Sequence, residues 1–212
     1  MAFTQVVAPI CLVTDLLQQL LDAARDTRLV VCGTRTEFLV QLSAAIRSQY
    51  AGHNPAPRHD LLTKTIGLLA NSSRVQLTFC PSLETFRAYL AVLGPVDDVI
   101  CGSEQCKIRR PLLATLDLVA LHATTTEFAA QGLSRTFAAL VESASRAKMD
   151  VILYECTNAV NPTSTDWGAE LWKKQVPLLN GSVRIRGEDG GNWGGRGVSV
   201  KQVAQRWFEF EE

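Results

Sequence analysis

Residues 112–127, LLATLDLVALHATTTE, constrain the fold more than any other stretch of this chain. The apolar run is too short to cross a membrane and has the length of a strand buried on both faces, the kind found in parallel sheets. One carboxylate, Asp117, interrupts it, and small polar residues close it. Thr124 and Glu127 have the S/T-x-x-E spacing of a capping box, which predicts a long helix from there to about residue 148. A buried strand, an acid near its end and a capped helix make one half of a nucleotide-binding α/β sheet. The other half is a strand, a glycine turn and a helix, and the rest of the chain has to supply it.

Several segments fit βα units. Residues 14–26 predict a helix with Thr14 as its cap, Asp15 at the positive end of the dipole, and Leu16, Leu17, Leu20, Leu21 and Ala24 as its apolar stripe. RLVVC (28–32) predicts a short strand, followed by Gly33 and a helix over 36–50 with Phe38, Leu42, Ala45 and Ile46 inward. A polar loop with two prolines (51–60) precedes an apolar stretch, 61–70, read as helix. RVQLTFC (74–80) alternates as a half-covered strand does; Pro81 and Ser82 open another helix, which Gly94-Pro95 stops. A charged loop spans 96–110, and DVILYEC (150–156) predicts a further buried strand. Asp166 then caps a short helix carrying Trp167, Leu171 and Trp172. From Pro177 the texture changes: 182–186 alternate, 188–197 form a glycine-rich turn, and 198–210 read as strand material with one break.

These elements add up to an α/β three-layer fold, a mostly parallel sheet with an antiparallel C-terminal extension. A single domain is expected over 1–212, divided into an N-terminal helix (1–27), a βα core (28–176) and the extension (177–212). Positive and negative side chains balance at 21 each, so any nucleic-acid or membrane partner has to be met by a local patch. The N-terminal apolar segment has no basic residue ahead of it and meets Asp15 well short of the ~20 residues a span needs. It reads as ordinary buried chain with no secretion signal. Cys32, Cys80 and Cys156 lie in or beside predicted core strands, where a thiol behaves as a small hydrophobe. Cys101 and Cys106 form a lone C-x4-C pair whose only remote co-ligands are His53 and His59, which does not make a zinc signature. No metal or cofactor is expected, and the thiols fit an intracellular, nuclear or cytoplasmic protein.

A phosphate loop needs G-x-x-x-x-G-K-[ST]: glycines that let backbone N–H groups reach phosphate, a lysine for the β and γ groups, a hydroxyl for magnesium. The matching turn here is Gly33-Thr34-Arg35-Thr36-Glu37-Phe38. It keeps the first glycine, has no lysine, and sets Glu37 where phosphate would sit. Gly33, Arg35, Thr36 and Asp117 therefore mark a degenerate nucleotide site, and no ATP hydrolysis is expected. A divergent ATPase would require Arg35 to replace the lysine. Without that lysine, Asp117 and Glu155 read as hydrogen-bonded acids at strand ends, and His122 as a satisfied polar residue.

LLATLDLVALH resembles the Walker B strand of the RecA-like recombinases, and RLVVCG with its helix occupies the Walker A position in degenerate form. Gln131-Gly132-Leu133-Ser134-Arg135, the strand DVILYE, and the closing VRIR, glycine turn and RWFEF follow in the order of the small recombinase paralogues. The likeness spans about residues 28–210. It implies a non-catalytic assembly subunit of Shu-complex type, which assists the recombinase in homologous recombination. Its partners would be other RecA-like subunits, a recombinase or single-stranded DNA, with no membrane. The same superfamily includes the RecA-like subunits of Elongator, which support tRNA wobble-uridine modification, and these form the alternative.

The tail supplies the local patch that a neutral chain would need. Arg184 and Arg186 alternate with Val183 and Ile185, Trp193 and Arg196 sit among glycines, and Lys201 and Arg206 follow. A base stacked on such a ring is worth ~1–3 kcal/mol, and the cations supply the salt-dependent part. A solvated hairpin is the plainer alternative, and an uncovered edge strand would equally invite a protein partner.

Overall fold

A computed structural model describes residues 4–9, 12–49, 60–94, 110–179 and 197–211. The chain begins with strand β1 (Gln5–Val7), helix α1 (Val13–Asp22), β2 (Thr27–Val31) and α2 (Arg35–Gln49). A 3-10 turn (Asp60–Leu62) and α3 (Ile66–Ser72) lead to β3 (Val75–Phe79) and α4 (Leu83–Val92). Then come β4 (Leu112–Leu116), α5 (Leu118–Ala123), α6 (Ala130–Arg146), β5 (Asp150–Tyr154) and α7 (Ala169–Lys173). A short β6 (Gln175–Val176), β7 (Val198–Ser199), α8 (Val200–Ala204) and β8 (Glu209–Phe210) complete the described chain.

Six strands form one parallel sheet in the order β3-β2-β4-β5-β1-β8, and β6 pairs with β7 in a small antiparallel ribbon. The expected α/β architecture is therefore present. Parallel strands need crossovers, and right-handed crossovers send the helices to one face or the other according to the direction of travel. Chain travel from β1 and β2 runs towards β3, and travel from β3, β4 and β5 runs back. So α1 and α2 cover one face, where Leu16, Leu20, Phe38 and Ala45 pack on Leu29, Val31, Ala114 and Leu116. Helices α4, α6 and α8 cover the other, where Phe86, Leu90, Phe137, Leu140 and Val203 pack on Val30, Leu113, Val151 and Leu153. All five residues of β4 are buried, as expected for its near-continuous apolar run.

The structure corrects several local expectations. The N-terminal segment contains β1, which inserts between β5 and β8, so the main sheet includes chain before residue 28. Helix α1 is capped by Leu12 without a side-chain bond, and Thr14 is buried with its hydroxyl unpartnered. The apolar run after Leu116 is helix rather than strand, because Asp117 turns the chain through a left-handed conformation (φ 61°, ψ 35°). The Thr124–Glu127 capping box does not form: the Thr124 hydroxyl donates to Leu121 O, and Glu127 pairs with Arg87. Helix α6 starts only at Ala130, where the Ala130 and Gln131 amides donate to the carbonyls of Pro177 and Leu178. Asp166 pairs with Lys174, and Gly168 occupies the cap position it was expected to fill. Residues 200–204 form α8, and the closing RWFEF strand joins the main sheet in parallel beside β1. The loops at 51–59 and 96–109, the strand expected at 182–186 and most of the glycine turn lie outside the described residues.

Candidate functional site

Travel reverses between β2 and β4 and again between β5 and β1, and in open α/β sheets ligands bind outside the carboxyl ends of strands at such switch points. A cavity of about 530 Å³ opens there. Cys32, Gly33, Thr34 and Thr36 after β2, Asp117 after β4, and Cys156, Thr157 and Asn158 after β5 line it. Three of the four residues of the degenerate nucleotide site, Gly33, Thr36 and Asp117, thus surround one space. Arg35 does not: it is exposed and outside the lining. An enzyme that used Arg35 as its lysine would need that side chain in the cavity.

The acids are held by the backbone in two different ways. Asp117 Oδ1 accepts from Cys156 N at 3.0 Å, the one hydrogen bond of its carboxyl among the described residues. Withdrawal from water pushes its carboxyl up from the usual carboxylate range to about 7. Glu155 lies deeper, 4% exposed, and its two oxygens accept from Val119 N at 2.6 Å and Ala120 N at 3.2 Å. Burial, and then Asp117 beside it, hold Glu155 well above its ordinary pKa despite those two amides. Burial also pushes the Cys32 thiol up, with Glu155, Cys80 and Asp117 adding to the effect. Cys32, Cys80 and Cys156 are all buried and none is in a disulfide, which fits the hydrophobe role expected of them.

At the glycine turn, the Thr34 amide and hydroxyl both donate to Glu37 Oε2, at 2.9 and 2.7 Å, and Glu37 N donates back to Thr34 Oγ1 at 3.2 Å. This is a complete capping box, and it keeps the Glu37 carboxyl below its usual range. The amide that a phosphate would take is occupied by the protein's own carboxylate. Glu155 does the same at the start of α5. Nor does Gly33 provide room for close approach, since a Cβ there would meet Glu37 Oε2 at 3.6 Å, an ordinary contact. Among the described residues no group of three His, Cys, Asp or Glu side chains is arranged to hold a metal ion.

His122 is not the satisfied residue expected. It is fully buried, neither ring nitrogen reaches a partner in good hydrogen-bond geometry, and burial followed by the nearby Arg87 lowers its pKa to about 4 against the opposing pull of Glu127. Arg87 grips Glu127 with both terminal nitrogens, at 3.0 and 2.6 Å, and also donates to Thr136, tying α4 to the α5–α6 turn. Sequence spacing gave no signal for this cluster, because its members are 40 or more residues apart where Arg87 meets its partners. Trp167 and Gly168 were likewise missed as site residues: Trp167 lines the cavity, and Gly168 (φ 67°) packs against Thr157 of its wall.

Of the tail residues, Arg184, Arg186, Trp193 and Arg196 lie outside the described residues, as do Cys101, Cys106, His53 and His59. Lys201 is on α8 with its ammonium 5.1 Å from the centre of the Phe210 ring, and Arg206 is exposed in the turn that follows. No helix among the described residues is long and apolar enough to cross a membrane. No protein-family model matches the sequence, and no curated protein matches it.

Proposed function

We propose that this chain is a non-catalytic RecA-like subunit of a DNA recombination and repair complex, acting in the nucleus beside a recombinase or its paralogues. The observation that supports the reading most directly is the Thr34–Glu37 capping box. In a sheet of this type it closes the turn where phosphate would bind, and no lysine accompanies it. The chain then contributes shape and surface to an assembly instead of turnover.

Two experiments test this. Purified protein with ATP and magnesium is expected to show no hydrolysis above background. Magnesium-dependent turnover that disappears in Asp117→Ala would refute a silent subunit. Affinity purification from the native cell is expected to recover a recombinase or RecA-like paralogues. Recovery of Elongator subunits in their place would move the role to tRNA wobble-uridine modification.

A further inference from the structure

The cavity above β2, β4 and β5 is built for a charge opposite to that of a nucleotide. Among its described lining residues there is no lysine, arginine or histidine, while Asp117 and Glu37 both line it. Asp117 has one oxygen bonded to Cys156 N and the other free. Glu37 takes both Thr34 bonds on Oε2, which leaves Oε1 free. Around these acids the walls are apolar and aromatic: Val31, Phe38, Leu116, Leu121, Val160 and Trp167. An anion entering here meets like charge, and a neutral apolar group leaves a desolvated carboxyl without a donor. A cation on an apolar stem satisfies both walls and floor, and aromatic rings reinforce it.

We propose that the cavity is a receptor site for an arginine or lysine side chain presented by a partner subunit. The inference rests on the reading of the chain as a nucleotide-free subunit, and it names how a neighbour would engage the vacated site. The volume, about 530 Å³, leaves room for such a stem together with flanking backbone. Binding is linked to protons. Among the described residues, the titratable groups beside Asp117 are Glu155, Cys32 and Cys156 on the strand ends, with Glu37 on α2 across the cavity, and none of these is a cation. An arriving guanidinium converts Asp117 from acid to carboxylate and releases its proton, so affinity rises with pH through about 7.

The test is a titration of the isotope-labelled full-length protein, followed by NMR, with three blocked peptides differing only in a central arginine, lysine or citrulline. The arginine and lysine peptides are expected to give saturable shifts at Asp117, Cys156 and the Trp167 indole, tightening from pH 6 to pH 8. The citrulline peptide is expected to give none. Asp117→Asn should remain folded and lose about tenfold or more in affinity, as expected for one charge-assisted hydrogen bond. Equal binding by citrulline, or unchanged binding to the Asp117→Asn protein, overturns the proposal. Saturation by n-butylguanidinium but not by the arginine peptide assigns the site to a small molecule and overturns the partner source. A parallel titration with magnesium-ATP separates the two readings: ATP shifts at the cavity defeat both. Silence from ATP and from the cationic peptides defeats the receptor alone.

Discussion

Asp117 combines two properties that an asparagine would meet at lower cost. It adopts a left-handed conformation, which Asn and Asp tolerate best, and it keeps a carboxyl where water is scarce. The carboxyl titrates near 3.8 in an unfolded chain and at about 7 in the fold. Between those values the native state holds a proton that the unfolded state has released, so stability falls as pH rises through that window. Asp117→Asn removes this dependence while keeping an acceptor for Cys156 N. The variant is expected to match the wild type near pH 4 and to exceed it by on the order of 1–4 kcal/mol at pH 8, as read from denaturant melts at the two pH values. A variant less stable than the wild type at pH 8 would contradict the raised pKa of this half-buried acid. Two glycines give a second contrast. A Cβ on Gly168 would lie 3.2 and 3.3 Å from the Thr157 backbone, at a positive φ that side chains avoid, whereas one on Gly33 has ordinary space. Thermal melts are expected to show Gly168→Ala destabilised by about 1–3 kcal/mol and Gly33→Ala within about 0.5. A Gly33→Ala protein as damaged as Gly168→Ala would show that the turn needs its glycine after all.

Among elements, those built from long apolar patterns were legible and those made by remote pairing were not. RLVVC, RVQLTFC, LLATL and DVILY announce β2 to β5 because each carries the pattern of a buried or half-buried strand. Strand β1 has three residues and exists through a partner about 145 residues away, so local pattern could not find it, whereas β8 was read as strand material but its parallel place beside β1 was not. The boundary at Asp117 was misplaced for another reason. Between Asp117 and His122, LVAL is apolar throughout, and a short apolar run does not distinguish buried strand from buried helix. The site divides in the same way. The Gly33 turn and Asp117 were visible as motif fragments, while the meeting of Glu37 with Thr34, and of Glu155 with the α5 amides, needed the fold. The C-terminal module gives the element-scale prediction. Phe208 is 4% exposed and meets Phe137 of α6 edge-on at 5.4 Å, so α8 and the turn after it are part of the core. Phe208→Ala is expected to cost about 3–5 kcal/mol, the usual loss for a buried phenylalanine. A melting transition unchanged from the wild type would mean that α8 and β8 are an appendage.

For the whole molecule, the proposed subunit role turns on which surface would meet a partner. The tail carries six residues with the chemistry to do so, and the structure distinguishes two of them. Lys201 is engaged by the Phe210 ring and contributes to holding α8 against β8, whereas the Arg206 side chain is on an exposed turn residue. If single-stranded DNA binds the tail, Trp193→Ala should lose roughly 1–3 kcal/mol by removing a stacking ring. Arg184→Ala and Arg186→Ala should each flatten the salt dependence by about one unit per lost phosphate contact. If a protein binds there, salt should matter less and Trp193 more, since buried aromatics dominate such contacts. Titration of the wild type and the three variants against a labelled oligonucleotide at two salt concentrations separates these outcomes. No DNA binding by the isolated chain leaves the protein partner. Pull-down of that partner surviving Trp193→Ala together with both arginine changes would make the tail structural and move the contact to the turns around Gly33 and Asp117. Because those turns share the acidic cavity, the combined tail variant would then bind its partner normally and lose it on Asp117→Asn.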